Sequence, residues 1–377
     1  MAKLLARRRR NTRVMTSPIP VTVVSGTLGA GKTTLVNHVL SNQQGYEVAV
    51  IVNDMGDVNV DAELVADRDE ERGVVDLSNG CICCRLQDDL LSEARRLAEE
   101  REFDYLLVES SGISEPVPVA RVFLEGTEDG DIDPTEYFEL DTMVTVLDSY
   151  GFWKEFDAGE SLPAGADAAD DERPLSEVLV ESVEFCDVLL LNKSDMVPDD
   201  VLGGIEAVVR ELQPRAEVVR TTHSEIDPGR VLDTGRFDYA AVSRSQGWKR
   251  HAAGEGHEHD GESAAEHHGV SSFVYRSERP FHPERLAAWL DDPDPGVIRA
   301  KGFCHVAGSA DVLGVSQAGR AVQAGPIGAW DDGDERETRL VFIGRELEEA
   351  RLRAELDELL CEEGESPEAY PFPLERP

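Results

Sequence analysis

The sequence predicts an α/β fold, a doubly wound and mostly parallel sheet, followed by a smaller C-terminal α+β domain. Three observations predict it. Short apolar, β-branched runs alternate with helix-like stretches, the pattern of buried parallel strands joined by crossover helices. A glycine-rich loop, Gly26-Thr27-Leu28-Gly29-Ala30-Gly31-Lys32-Thr33, joins the first such run to the first helix. After about Asp238 the composition changes to a polar stretch, and strand-like runs then return.

The first run, Val21–Ser25, is apolar, and Thr34–Leu40 reads as a helix. The loop between them has the form G-x-x-x-x-G-K-T, and its strand–loop–helix setting marks the phosphate-binding loop of a P-loop NTPase. Glycines let backbone N–H groups converge on phosphate oxygens at the positive end of the helix. Gly26, Thr27, Leu28, Gly29, Ala30, Gly31, Lys32, Thr33 and Thr34 are the candidate nucleotide contacts. Lys32 would reach the β- and γ-phosphates and the Thr33 hydroxyl would hold Mg²⁺.

Val48–Asn53 predicts a second strand, running into the acidic turn Asp54-Met55-Gly56-Asp57. Val74–Leu77 predicts a third, followed by a loop carrying Cys81-Ile82-Cys83-Cys84. Leu86–Glu100 has apolar residues at helical spacing, at Leu86, Leu90, Ala94 and Leu97. Tyr105–Val108 predicts a strand ending at Glu109-Ser110-Ser111-Gly112, and Met143–Leu147 and Val188–Leu191 predict two more. Ligands of such sheets bind at the C-terminal ends of the strands, where all these polar motifs fall. Asp157 to Arg173, rich in Ala, Gly, Asp and Glu, reads as a disordered surface insertion. Val201–Leu212 predicts a helix closed by Pro214, and Glu217–Arg220 a strand.

Beyond them the C-terminal domain is predicted from strands at Ser271–Arg276, Val297–Phe303, Val312–Gln317 and Leu340–Ile343, with helices at Pro283–Leu290 and Glu346–Leu360. The domain reading is therefore a basic, disordered extension over 1–18, a nucleotide-binding domain over 19–238, an acidic linker containing histidines over 239–269, the α+β domain over 270–365 and a tail over 366–377.

Asn192-Lys193-Ser194-Asp195 follows the strand at Val188–Leu191 and has the guanine-reading form N-K-x-D. A carboxylate at Asp195 would accept from guanine N1–H and its exocyclic amine. Adenine offers no such donor pair, and the unpaired buried carboxylate supplies the discrimination. GTP is thus the expected nucleotide. Glu109-Ser110-Ser111-Gly112 occupies the place of a D-x-x-G element. Glu109 would bind Mg²⁺ through water and the Gly112 N–H would sense the γ-phosphate, so Lys32, Thr33, Glu109 and Gly112 are the catalytic candidates. Ile113 stands where fast GTPases commonly have a water-orienting glutamine, which predicts slow hydrolysis without a partner.

Cys81, Cys83 and Cys84 form a dense thiolate group suited to Zn²⁺, with Co²⁺ or Cu⁺ as competitors. Three sulfurs cannot close a tetrahedron, and an open shell would suit the handing-on of a metal. Buried structural thiols and a redox pair are the competing readings. His257 and His259, in the polar stretch, could gather metal weakly as accessories, against a plain solvated linker.

The chain has 377 residues and a net charge of −39, with only six lysines among its 37 basic residues. So acidic a surface, poor in lysine, points to a halophilic source, and without a basic stripe it argues against nucleic-acid binding. Six cysteines with no disulfide framework point to a reducing, cytoplasmic setting. No run reaches the length of a membrane span. The arginines before Met15 lack an apolar stretch after them, and read as an over-long gene start rather than a secretory signal.

GTLGAGKTT, CICC, ESSGISEP and NKSD, in this order and spacing, resemble the CobW-type metal-handling GTPases, relatives of HypB and UreG. Arg299-Ala300-Lys301-Gly302-Phe303 and Phe342-Ile343-Gly344-Arg345 are similar to the CobW C-terminal domain, and the resemblance runs from about Ile19 to Cys361. The family's C-x-C-C cluster is matched by Cys81, Cys83 and Cys84. Its N-E-F-G-E element is replaced by Asn53-Asp54-Met55-Gly56-Asp57, which brings in Asp54 and Asp57 as metal candidates with side chains one methylene shorter. The resemblance implies a GTP-dependent metallochaperone or metal-insertion factor that serves a client metalloprotein; zinc is expected from the thiolate cluster, and the oligomeric state is left open. Cobalt handling in cobalamin synthesis is the near alternative. A metal sensor or storage module and a P-loop small-molecule kinase are alternatives of other classes.

Overall fold

The computed structural model describes residues 17–52, 74–76, 83–110, 116–127, 132–152, 175–238, 269–330, 336–362, 364–365, 367 and 369–373. Seven strands, β1 (Ile19–Ser25), β2 (Val48–Val52), β3 (Val74–Asp76), β4 (Tyr105–Glu109), β5 (Phe138–Asp148), β6 (Val188–Asn192) and β7 (Glu217–Arg220), form one sheet in the order β3-β2-β4-β1-β5-β6-β7. Every ladder is parallel. β2, β4 and β6 are buried at every residue, which is why they read as unbroken apolar runs.

Helices α1 (Lys32–Ser41), α2 (Cys83–Glu100), α3 (Pro116–Leu124), α4 (Leu175–Glu184) and α5 (Asp199–Leu212) cover the sheet. Leu35, Val36 and Val39 of α1 share one core with Val50, Leu107, Val144 and Leu190, and with Ile226, Val231 and Leu232 from the strap after β7. On the opposite face, α2 and α3 pack Leu90, Ala94, Leu97, Val122 and Phe123 against Val21, Val23, Leu106 and Val108. α4 and α5 cover Leu147, Leu189 and Leu191 further along that face.

The sequence does not anticipate α3. Pro116 and Pro118 look like breakers, yet both lie in the first turn, where N–H groups have no intrahelical acceptor to lose. α4 is likewise hidden by the acidic stretch before it, and the disorder expected for 157–173 lies outside the described residues. β5 starts at Phe138, five residues before the predicted strand, because Asp141 interrupts its apolar run. That carboxylate is buried but saturated. It accepts from the Gly235 and Thr234 N–H groups at 2.8 and 3.0 Å, from Thr142 Oγ1 at 2.6 Å and from the Tyr105 hydroxyl. Burial and this carboxylate hold the Tyr105 phenol well above its ordinary pKa.

A second, antiparallel sheet comprises β8 (Val270–Ser277), β9 (Val297–Cys304), β10 (Asp311–Ala318), β11 (Ala321–Ala329) and β12 (Thr338–Arg345), in the order β11-β10-β9-β12-β8. α6 (Pro283–Leu290) and α7 (Glu349–Glu358) pack on one face, around Phe281, Leu286, Phe342, Leu352 and Leu356. β11 escaped the sequence reading because glycines and Pro326 break its pattern; an edge strand tolerates both.

The other face of this sheet lies on α4 and α5. Val270, Ala318, Val341 and Ile343 join Leu179, Val183, Ile205 and Val208 in one core. Polar bonds seal the seam. Ser176 Oγ donates to the Ala318 carbonyl at 2.8 Å, Gln323 Nε2 to Glu177 at 2.9 Å and Ser272 Oγ to Glu211 at 2.9 Å. Arg299 grips Glu184 with two N–H groups, at 3.0 and 3.2 Å, with both side chains at least nine-tenths buried.

Candidate functional site

The phosphate loop leaves β1 at Ser25 and enters α1 at Lys32. Gly26 has φ +136°, and a Cβ there would collide with the carbonyl of Val146 on β5. Gly31 has φ +112° and would drive a Cβ into the Asn192 side chain. Only glycine fits either position, so the spacing of the motif is a steric requirement. No side chain caps α1, and its first turn holds no acidic residue. Its leading N–H groups therefore suit an anion.

Lys32 is buried and its Nζ donates to the Thr27 carbonyl at 3.2 Å, folded back over its own loop. Thr33 Oγ1 donates to Glu109 Oε1 at 2.7 Å, so the residues expected at Mg²⁺ already meet, the start of α1 against the end of β4. A hydroxyl and a buried carboxylate at the edge of a phosphate loop are a hard-oxygen donor set that fits Mg²⁺. Gly112 lies outside the described residues.

On the far side of β1, β6 ends in Asn192 and the N-K-x-D turn. Asn192 is buried and its side chain makes three bonds. Its Nδ2 donates to the Ala30 carbonyl at 2.8 Å, and its Oδ1 accepts from the Ser224 N–H at 2.8 Å and from Thr221 Oγ1 at 3.2 Å. Ser224 Oγ in turn donates to the Gly31 carbonyl at 2.9 Å. Phosphate loop, N-K-x-D turn and the turn after β7 are thus one hydrogen-bonded unit. Asp195 stays exposed, with its carboxylate open to solvent.

Thr221 and Ser224, and Asp148 and Ser149 at the end of β5, were missed by sequence reasoning. Ser149 donates through both N–H and Oγ to the Asn192 carbonyl, at 3.0 and 2.6 Å. Asp148 Oδ2 accepts from Lys193 Nζ at 2.6 Å. Their one available signal was position, since each stands at or just after the C-terminal end of β5 or β7, at the edge where the motifs cluster.

β2 ends at Val52 and β3 at Asp76, both at this same edge. Asp54, Asp57 and Cys81, as well as His257 and His259, lie outside the described residues. Cys83 and Cys84 do not lie on a loop, as expected from the sequence, but form the first two residues of α2. Helix formation thus begins three residues before the predicted Leu86. Among the described residues no group of three His, Cys, Asp or Glu side chains is placed to hold a metal. Cys186, Cys304 and Cys361 are free and buried, and burial pushes all three thiols up in pKa, as suits ordinary core cysteines. No described helix is long and apolar enough to cross a membrane.

Residues 20–220 match the CobW/HypB/UreG nucleotide-binding domain, and residues 270–360 the C-terminal domain of the cobalamin synthesis protein cobW. The zinc-regulated GTPase metalloprotein activator 1 of Dictyostelium discoideum is 39% identical over 79% of this chain, which spans 65% of that protein's length. A zinc chaperone CobW from Sinorhizobium sp is 30% identical, covering 91% of this chain and 97% of its own. The crystal structure of Zn(II)-bound YjiA GTPase from E. coli, 23% identical, covers 91% of this chain and 99% of its own, with a TM-score of 0.43.

Proposed function

This chain belongs to the CobW/HypB/UreG family, and on that premise we propose that it is a cytoplasmic, Mg²⁺-dependent GTPase that binds zinc and hands it to a client metalloprotein. The observation that carries the nucleotide reading is the side chain of Asn192, which ties the guanine-reading turn to the phosphate loop at Ala30 and to the turn after β7 at Thr221 and Ser224. In the proposed mechanism, the glycine loop and α1 N–H groups receive the phosphates, and Lys32 leaves Thr27 to meet them. Thr33 and Glu109 would hold Mg²⁺, and the charge-neutralising chemistry that ion would supply is directed at the phosphoryl group being transferred. Asp195 reads the base. Ile113 offers no hydrogen bond to an attacking water, so turnover is slow until a partner completes the site.

Zinc enters this reading as cargo, carried by Cys81, Cys83 and Cys84 with Asp54 and Asp57 as further candidate ligands. The names of two relatives, a zinc-regulated GTPase activator and a zinc chaperone, support zinc over cobalt. β1, β2, β3 and β4, from whose ends the nucleotide and metal motifs continue, are neighbouring strands about 5 Å apart, which supports a coupling of the two sites. Coupling between them would be reciprocal and of the order of 1–3 kcal/mol. Titration of Zn²⁺ into the GTP-analogue and GDP forms tests it. A 5-fold or greater difference in Kd is expected, and equal affinities would remove the delivery mechanism. Tighter retention of Co²⁺ than Zn²⁺ would move the reading to cobalt.

A further inference from the structure

Lys193 adopts a left-handed backbone conformation, with φ 56°. A lysine keeps so uncommon a conformation only where its surroundings determine it. Here they do. Its ammonium donates to Asp148 Oδ2 at 2.6 Å, and the other oxygen of that carboxylate accepts the Tyr150 N–H at 3.0 Å. The intervening residue, Ser149, is held twice to the carbonyl of Asn192. Asp148 and Asn192 also stand in register across the parallel β5–β6 ladder. The turn after β5 therefore clamps residues 192 and 193 from the side. Asp148 is mostly buried and Lys193 about one-third exposed, so the ammonium is drawn inward while part of the lysine stays accessible.

We propose that Asp148 is a positioning residue of the guanine site: it anchors the Lys193 ammonium, so that the four-carbon stem stands as a preformed apolar wall for the base. This rests on the guanine reading of the N-K-x-D turn. A lysine stem is apolar enough to pack against a flat ring while its charge is satisfied elsewhere. A free lysine has many rotamers, and immobilising one such side chain on binding costs about 3–10-fold in affinity. Asp148 removes that cost in advance. Asp195 then supplies the hydrogen-bonding edge, and Asn192 sets the distance to the phosphates.

The test is calorimetric titration of Mg²⁺ with GDP and with ADP into the full chain and three variants. Asp148→Asn keeps the shape and an acceptor for the Tyr150 N–H. It is expected to weaken GDP about 3–10-fold while ADP, held by its phosphates, is unchanged. Lys193→Met, an unanchored stem, is expected to show the same loss, and adding Asp148→Asn to it no further loss. Unchanged GDP affinity in either single variant would overturn the proposal. So would an equal loss for ADP, or a second loss of the same size in the double variant. If Asp148→Asn does not fold, Lys193→Met decides by itself. A wild-type chain that binds GDP no better than ADP would instead sink the guanine reading.

Discussion

Of the ion pairs that join distant parts of this chain, Arg299–Glu184 and Lys193–Asp148 differ most instructively in what surrounds them. Arg299 and Glu184 meet between the antiparallel sheet and α4, with both side chains at least nine-tenths buried and two N–H···O bonds in place. Lys193 and Asp148 meet at the rim of the parallel sheet through one bond, with the lysine about one-third exposed. Burial makes the first pair an obligate lock, because neither charge can return to water without parting the domains. Partial exposure leaves the second adjustable, as suits a residue that must receive a ligand. The strands teach the same contrast. β2, β4 and β6 are buried on both faces and read as unbroken apolar runs, whereas β8 and β10 alternate. The candidate chemistry collects where the parallel strands end.

The largest effect should come from breaking the lock. Arg299→Ala leaves Glu184 charged and unpaired in the seam and is expected to cost about 3–5 kcal/mol of stability, read by urea or thermal unfolding. Replacing both partners together, Arg299→Met with Glu184→Leu, should recover most of it. A loss under about 1 kcal/mol for Arg299→Ala would erase the distinction between the two pairs.

Lys32→Ala should leave unfolding of the nucleotide-free protein near wild type and lower kcat/KM for GTP by about 10²–10³-fold, measured as phosphate release. Activity within 10-fold of wild type would remove Lys32 from the phosphate site.

A smaller effect is expected at Asp187, at the mouth of β6, where Oδ2 accepts the Met143 N–H at 2.8 Å. Burial raises its carboxyl from 3.8 to about 6. The folded state therefore holds its proton more tightly than the unfolded chain does. The stability this contributes is complete below pH 3.8 and lost as the pH rises through about 6. Asp187→Asn should match wild type near pH 4 and exceed it by about 1–3 kcal/mol at pH 7. The stability difference between the two proteins, followed across that range, checks the sign. The smallest effect belongs to Leu28, 77% exposed in the phosphate loop. Leu28→Ala should shift stability by less than about 0.5 kcal/mol, against about 2–5 kcal/mol for Leu35→Ala in the core beneath it.

Much of the parallel sheet was legible because a strand buried on both faces leaves an unbroken apolar run. The phosphate loop was legible because Gly26 and Gly31 tolerate no Cβ, and the steric demand surfaces as spacing. α3 was obscured by prolines that are harmless in a first turn, and β11 by glycines and a proline that an edge strand accepts. Asp148 and Ser224 carried no sign beyond their position at strand ends, since each acts on a residue at least 32 positions away.

The order of residues by itself determined the alternation of strand and helix, the anion-binding loop and the guanine-reading turn. These depend on local sterics, hydrophobic period and the donor inventory of single side chains. Only the tertiary structure decided that Asn192 braces the phosphate loop, that Thr33 meets Glu109, that Asp148 holds Lys193 and that Arg299 locks the second domain onto α4. Each of these is a bond between elements distant in the chain. Its partner is chosen by sheet order and register, which no short stretch of sequence contains.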